Sequence, residues 1–166
     1  MLDRELLDGY LGFSMRDICP HGYDSEGDNH CAHFIAHVLQ LGFGVTCASM
    51  RGRRGAPGAA NLRVQEVFEQ CPSTRELIEC PSSGEGLIFV SDRRNFRGSP
   101  VQIRNVRKKH VGLMLDGKIW HYSNTRERVE QQTIAGFLTH YRRQQNALWW
   151  ADFPRDARPA GFATSA

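Results

Sequence analysis

No apolar run in this 166-residue chain is long enough to cross a bilayer, which excludes a transmembrane helix. Its start, Met1-Leu2-Asp3-Arg4-Glu5, lacks the basic segment and apolar stretch of a secretory leader. The chain is therefore read as made in the cytoplasm without a signal peptide, so that any export would take a non-classical route. It has no internal repeat, and none of its cysteines stands in the short pairs of a zinc ribbon or finger. Few aromatic residues interleave its basic stretch, which disfavours nucleic acid as a partner.

What is present suits one globular domain. A hydrophobic share of 40% with 23% charged residues is that of an ordinary folded chain, long enough to bury a core. The net charge is only +3, but between Ser91 and His110 stand Arg93, Arg94, Arg97, Arg104, Arg107, Lys108 and Lys109 against a single Asp92. A second cluster, Arg51, Arg53 and Arg54, sits in a glycine-rich stretch. Such clusters are either a solvated face or an attractor of an anionic partner, including a polymer that carries carboxylates. The five cysteines, Cys19, Cys31, Cys47, Cys71 and Cys80, leave at least one unpaired thiol.

Leu2, Leu6, Leu7 and Tyr10 recur at helical spacing, with Gly12 closing the helix. A loop follows from Cys19 to Asn29, then a helix from His30 to about Leu41, stopped by Gly42 and Gly44. Cys47 to Ala60 reads as a long loop, and Leu62 to Cys71 as a weaker helix ended by Pro72. Beyond it the pattern turns to strands, at Gly86–Val90, Val101–Val106, Val111–Leu115 and Ile119–Tyr122, the last two flanking Asp116-Gly117, a hairpin turn signal. Ile134, Phe137, Leu138 and Tyr141 give a helix behind Thr133, and Ala147–Phe153 a closing strand. Helices first and an antiparallel sheet after them make an α+β domain over 1–153, with a disordered tail over 154–166.

Two segments carry chemistry. In Asp28-Asn29-His30-Cys31-Ala32-His33-Phe34, Asp28 or Asn29 can cap a helix whose first turn holds Cys31. Unpaired N–H groups there favour a thiolate and can receive an oxyanion. The plainer reading makes Cys31 the first core residue of an amphipathic helix, on one stripe with Phe34, Ile35 and Val38. His33 and His37 stand four apart, a spacing able to bind a metal, but no acidic residue of the zinc-protease pattern accompanies them. Surface or second-shell histidines are the preferred reading of His30, His33 and His37, and no metal or cofactor is called for.

In the hairpin, a two-residue turn pairs Leu115 with Lys118 and puts His110 and His121 on one face as diagonal neighbours. Gly112 between them leaves room for a thiol delivered by a packed helix. Nucleophile, base and orienting group would then be Cys31, His110 and His121, with Asn124 as second choice for the last, since a shifted register would bring it to His110 instead.

This arrangement resembles the NlpC-like cell-wall peptidases and the related CHAP amidases. In those families a helix-start Cys is followed by a strand beginning His-Val-Gly and a polar residue on the next strand. The matching residues are Asn29-His30-Cys31-Ala32, Lys109-His110-Val111-Gly112 and Ile119-Trp120-His121-Tyr122, over roughly Tyr23 to Asn124. The family usually reads Asp-Cys-Ser-Gly where this chain has His30-Cys31-Ala32-His33, and its aromatic-glycine stretch is reduced to Gly22-Tyr23. The resemblance implies a papain-like (NlpC-like) fold, cleavage of an amide bond in peptidoglycan stem peptides, and substrate contacts from Tyr23 and Asn29. Small size and basic loops are similar to amidase effectors delivered by type VI secretion. The Cys-x-His-Phe run also resembles lecithin retinol acyltransferase-like enzymes, in which the histidine strand precedes the cysteine. The rival expectations are a thioesterase or acyltransferase on the same residues, and a non-catalytic basic binding domain.

Overall fold

The computed structural model describes residues 2–25, 28–45, 47, 62–78, 83–142 and 145–159. The Arg51–Arg54 cluster and Cys80 lie outside them.

The N-terminal part is helical. Helix α1 (Arg4–Gly9) starts where the Asp3 side chain accepts from the Glu5 N–H, and it buries Leu6 and Leu7. A short helix the sequence pattern missed, α2 (Met15–Ile18), is fixed by a reciprocal Ser14–Asp17 capping box. Helix α3 (Cys31–Leu39) is buried along nearly its whole length. It ends earlier than the glycines suggest, because Gln40 already adopts a left-handed conformation at φ 54°. Helix α4 (Val64–Glu69) is the shorter core of the Leu62–Cys71 segment.

The strands are β1 (Thr74–Glu76), β2 (Glu85–Asp92), β3 (Phe96–Arg97), β4 (Gln102–Ile103), β5 (Lys109–Leu115), β6 (Lys118–Ser123), β7 (Arg128–Thr133) and β8 (Asn146–Ala151). Six form one sheet in the order β1-β8-β2-β5-β6-β7, and each neighbouring pair is antiparallel. Central β2 is buried on both sides, which explains its unbroken apolar run. Of Val101–Val106, only Gln102–Ile103 forms a strand, paired with β3 away from the main sheet. The β5–β6 turn is made by Asp116 and Gly117, both at positive φ, and Leu115 pairs with Lys118 as the turn signal requires.

Both faces of the sheet are covered. On one, α3 and α4 pack Phe34, Ile35, Val38 and Phe68 against Leu87, Phe89, Val111, Leu113 and Trp120. On the other, α5 (Ile134–Leu138), capped by Thr133, packs Ile134 and Phe137 with Ile88, Val90, Met114, Ile119 and Leu148. The expected α+β class holds. The expected disordered tail does not hold for 154–159, where Pro154 is buried and the Arg158 N–H bonds the Leu39 carbonyl at 2.8 Å. Free C-terminal carbonyls of α3 need partners, and this segment supplies one.

Candidate active site

Cys31 occupies the first position of α3, whose N-cap is His30 and not the expected Asp28 or Asn29, and the Asn29 side chain reaches it from one residue before the cap. Its Oδ1 accepts from the Cys31 N–H at 3.2 Å and from the Cys31 thiol at 2.9 Å. Asn124 closes the same corner by accepting from the His30 N–H at 2.8 Å and donating to Asn29 at 3.1 Å. Asn124 therefore serves the cysteine helix and not His110, which overturns its second-choice role as an orienting group.

The thiol is fully buried. Burial pushes its pKa up to about 12, against the opposing pull of the Val111 and Ala32 N–H groups and the Lys109 charge. The expected lowering at a helix start is thus reversed, because desolvation of a thiolate outweighs a few N–H dipoles.

His110 and His121 do share a face, with His110 Nε2 and His121 Nδ1 2.9 Å apart. That face is not the one α3 covers. Val90, opposite His110, belongs to the α5 side, and the His110 ring lies 5.5 Å from Phe137 and stacks on His140 at 4.1 Å. The expectation that α3 lies over the two histidines is corrected here, since side chains alternate along β5 and Val111 and Leu113 are the ones that meet α3. The space at Gly112 is no slot for a thiol either. A Cβ there would stand 2.5 Å from Ile119 Cγ2 and 3.3 Å from His121 Cβ.

Strands β5 and β6 pair only over Leu113–Leu115 and Lys118–Trp120, although both continue and remain paired on their outer sides. Past Leu113 and Trp120 they part, and the His110–His121 hydrogen bond bridges the gap. Helix α3 crosses both strands, with the Cys31 sulfur beside the Val111 N–H. Tyr141, on the histidine side, is raised by burial and, to a lesser extent, by the charge of Cys31.

Burial lowers His110 well below its usual range and His121 to about 4, so both are neutral near neutral pH. Gln132, on the same face of β7 as the pair partner of Ile119, is a hydrogen-bonding influence that favours protonation of His121. Its Oε1 and His121 Nε2 are both buried without a hydrogen-bond partner. Of the two nitrogens joined at 2.9 Å one donates and one accepts, and the ring nitrogen that His110 leaves over is Nδ1. That Nδ1 is buried without a hydrogen-bond partner.

Tyr23 and Asn29 line a groove of about 540 Å³ together with Ala32, Arg63, Asn105, Arg107 and Lys109. The groove is lined by Ala32, next to Cys31 in α3, and by Asn29, two residues before Cys31. Lys109 forms its inner wall, its Nζ donating to Asn105 Oδ1 at 3.0 Å and to the Val106 carbonyl at 2.6 Å. A second basic hollow, of about 440 Å³, lies between Arg94, Arg97, Arg104, Arg107 and Lys108.

Comparisons with protein-family models, with curated proteins and with solved structures found no match. None of the described helices is long and apolar enough to cross a membrane.

Sequence reasoning missed His140, Gln132 and Lys109. His140 lies just past the end of α5 and carried no periodic signal. Gln132 becomes visible only once the β6–β7 register is known. Of the surface or supporting places expected for His30 and His33, the surface one fails, since both are buried. The face of α3 that carries them is covered by Cys19, at the end of α2, and by Cys47.

Proposed function

We propose that this chain is a cysteine hydrolase of papain-like, NlpC-like fold that cleaves an amide bond, with peptidoglycan stem peptides as its substrate class. One observation carries the reading: His110 has its Nε2 held by His121 and its Nδ1 buried without a hydrogen-bond partner. A base needs this arrangement, with one nitrogen oriented by a third group and the other open to the nucleophile's proton. The split between β5 and β6 puts that nitrogen on the far side of one strand from the Cys31 sulfur.

The first event is release of the thiol from Asn29. Because Cys31 and His110 face opposite sides of β5, the reaction requires a local rearrangement of β5 that brings the thiol to His110 Nδ1. The imidazole takes the thiol proton as sulfur attacks the carbonyl carbon, and N–H groups at the start of α3 hold the oxyanion. Collapse breaks the C–N bond, the imidazolium proton goes to the leaving nitrogen, and water then cleaves the thioester and restores the thiol. Arg63, Arg107 and Lys109 in the groove suit the carboxylates that stem peptides carry.

The test is digestion of purified peptidoglycan by the wild type and by Cys31→Ala, with fragments identified by mass. Release by the wild type alone supports the reading; equal release by both, or by neither, sinks it. A thioester substrate trapped on Cys31 in place of a peptide would instead make the chain a thioesterase or acyltransferase. A second reading, a binding domain for an anionic partner, is favoured by the Arg94–Lys108 hollow. It predicts salt-sensitive binding that persists in Cys31→Ala with no hydrolysis.

A further inference from the structure

Cys19, His33, His37 and Cys47 come from three separate segments, yet one donor atom from each lies within 4.8 Å of all the others. His33 Nε2 is 3.0 Å from Cys47 Sγ and 3.1 Å from His37 Nε2, and Cys47 Sγ is 3.6 Å from His37 Nε2. A tetrahedral Zn²⁺ with bonds of about 2.3 Å to sulfur and about 2.0–2.1 Å to nitrogen would set its ligand atoms about 3.3–3.8 Å apart. The three distances given above lie within about half an ångström of that figure, and all the donor atoms lie within 4.8 Å of one another.

The surrounding hydrogen bonds aim a lone pair at its centre. His30 Nε2 lies 3.0 Å from the Ser25 carbonyl, which can only accept, so His30 carries its proton there. His30 Nδ1 is then an acceptor, and its partner at 3.1 Å, His33 Nδ1, must donate. The proton of neutral His33 is therefore on Nδ1, leaving Nε2 unprotonated and facing His37 and the sulfurs. Metal-bound histidines are oriented by such outer hydrogen bonds.

From this geometry we infer that Cys19, His33, His37 and Cys47 form a closed four-ligand Zn²⁺ site that fastens the end of α2 and the Cys47 segment to α3. On binding, the two thiols release their protons to solvent. Two thiolates and two neutral imidazoles then balance the dication, which suits a site whose two sulfurs and His33 are buried. Four protein ligands leave no open position, so the metal's role is structural. It holds the helix that presents Cys31, and the inference does not rest on hydrolysis.

The test is elemental analysis of the full chain purified without chelator, followed by replacement of the metal with Co²⁺. The expected result is one zinc ion per chain and, with Co²⁺, the visible bands of a tetrahedral thiolate-bound ion. Cys19→Ser and Cys47→Ser should each lose the metal, while Cys71→Ser and Cys31→Ala keep it. His37→Cys should retain it with a shifted Co²⁺ spectrum. Should the serine variants fail to fold, chelation of the wild type supplies the readout: it should lower Tm and speed alkylation of Cys19 and Cys47, as read by peptide mass. Wild type that takes up neither Zn²⁺ nor Co²⁺, a Cys19–Cys47 disulfide in the protein as isolated, or unchanged metal content in both serine variants would overturn the site.

Discussion

Six of the seven histidines gather in two clusters, one on each side of the sheet, and the clusters use the same side chain in opposite ways. On the α3 side, His30, His33 and His37 are linked so that ring nitrogens converge with two sulfurs. On the α5 side, His110, His121 and His140 stack and cross one another, and one hydrogen bond leaves His110 Nδ1 and His121 Nε2 without partners. Converging donors suit a cation. A ring with one nitrogen held and one free suits proton transfer. The identity of the residue decides neither role; what faces the second nitrogen does.

The largest expected effect breaks the sheet-side half of this contrast alone. Cys31→Ala should reduce peptidoglycan cleavage by about 10,000-fold or more, because no other group can form the acyl-enzyme. Its zinc content should equal that of the wild type. A parallel loss of metal would show that the two clusters do not act independently.

Next in size is His121→Ala, which frees His110 Nε2 and lets the ring turn. Turnover should fall by about 100- to 10,000-fold, with a smaller change in KM, since orientation of the base is lost while the groove is kept. Unchanged turnover in a steady-state assay would remove His121 from the machinery.

Acid should separate wild type from His121→Gln. Burial holds His121 at about 4 when folded, against roughly 6.5 when unfolded, so the unfolded chain binds the proton first as pH falls. The neutral ring costs nothing at pH 7. Stability declines as pH drops below about 6.5, by up to about 3 kcal/mol from this residue by pH 4. Denaturant titrations at several pH values should give a steeper acid loss for wild type than for His121→Gln, and their difference separates the imidazole from protonation of the zinc thiolates. Equal slopes would mean that His121 is solvated in the native state.

The smallest effect belongs to the groove. Arg107→Ala should raise KM by roughly two- to fivefold and weaken its salt dependence, leaving kcat in place, as for a solvent-facing charge near an anionic substrate. A change confined to kcat would relocate Arg107 to the reacting centre.

Much of this was legible locally. The first-turn place of Cys31, the Asp116-Gly117 turn and the shared face of His110 and His121 all follow from short-range rules of spacing and strand alternation. The zinc ligands were half legible. His33 and His37 stand one helical turn apart, but Cys19 and Cys47 lie 14 residues before the first and 10 after the second, and no local rule joins them. The helical segment at Met15 was too short for a periodic signal, and its capping box alone marked it.

The amino-acid order determined which side chains share an element face, because the 3.6-residue and two-residue periods are properties of the backbone. It could not determine which face of the sheet α3 would choose, since β5 offers Val111 and Leu113 on one side and His110 and Met114 on the other. Tertiary packing settled that by burying the apolar α3 stripe against the more apolar face. It thereby set Cys31 and His110 on either side of a split sheet and folded the α2 end and Cys47 over the histidines of α3.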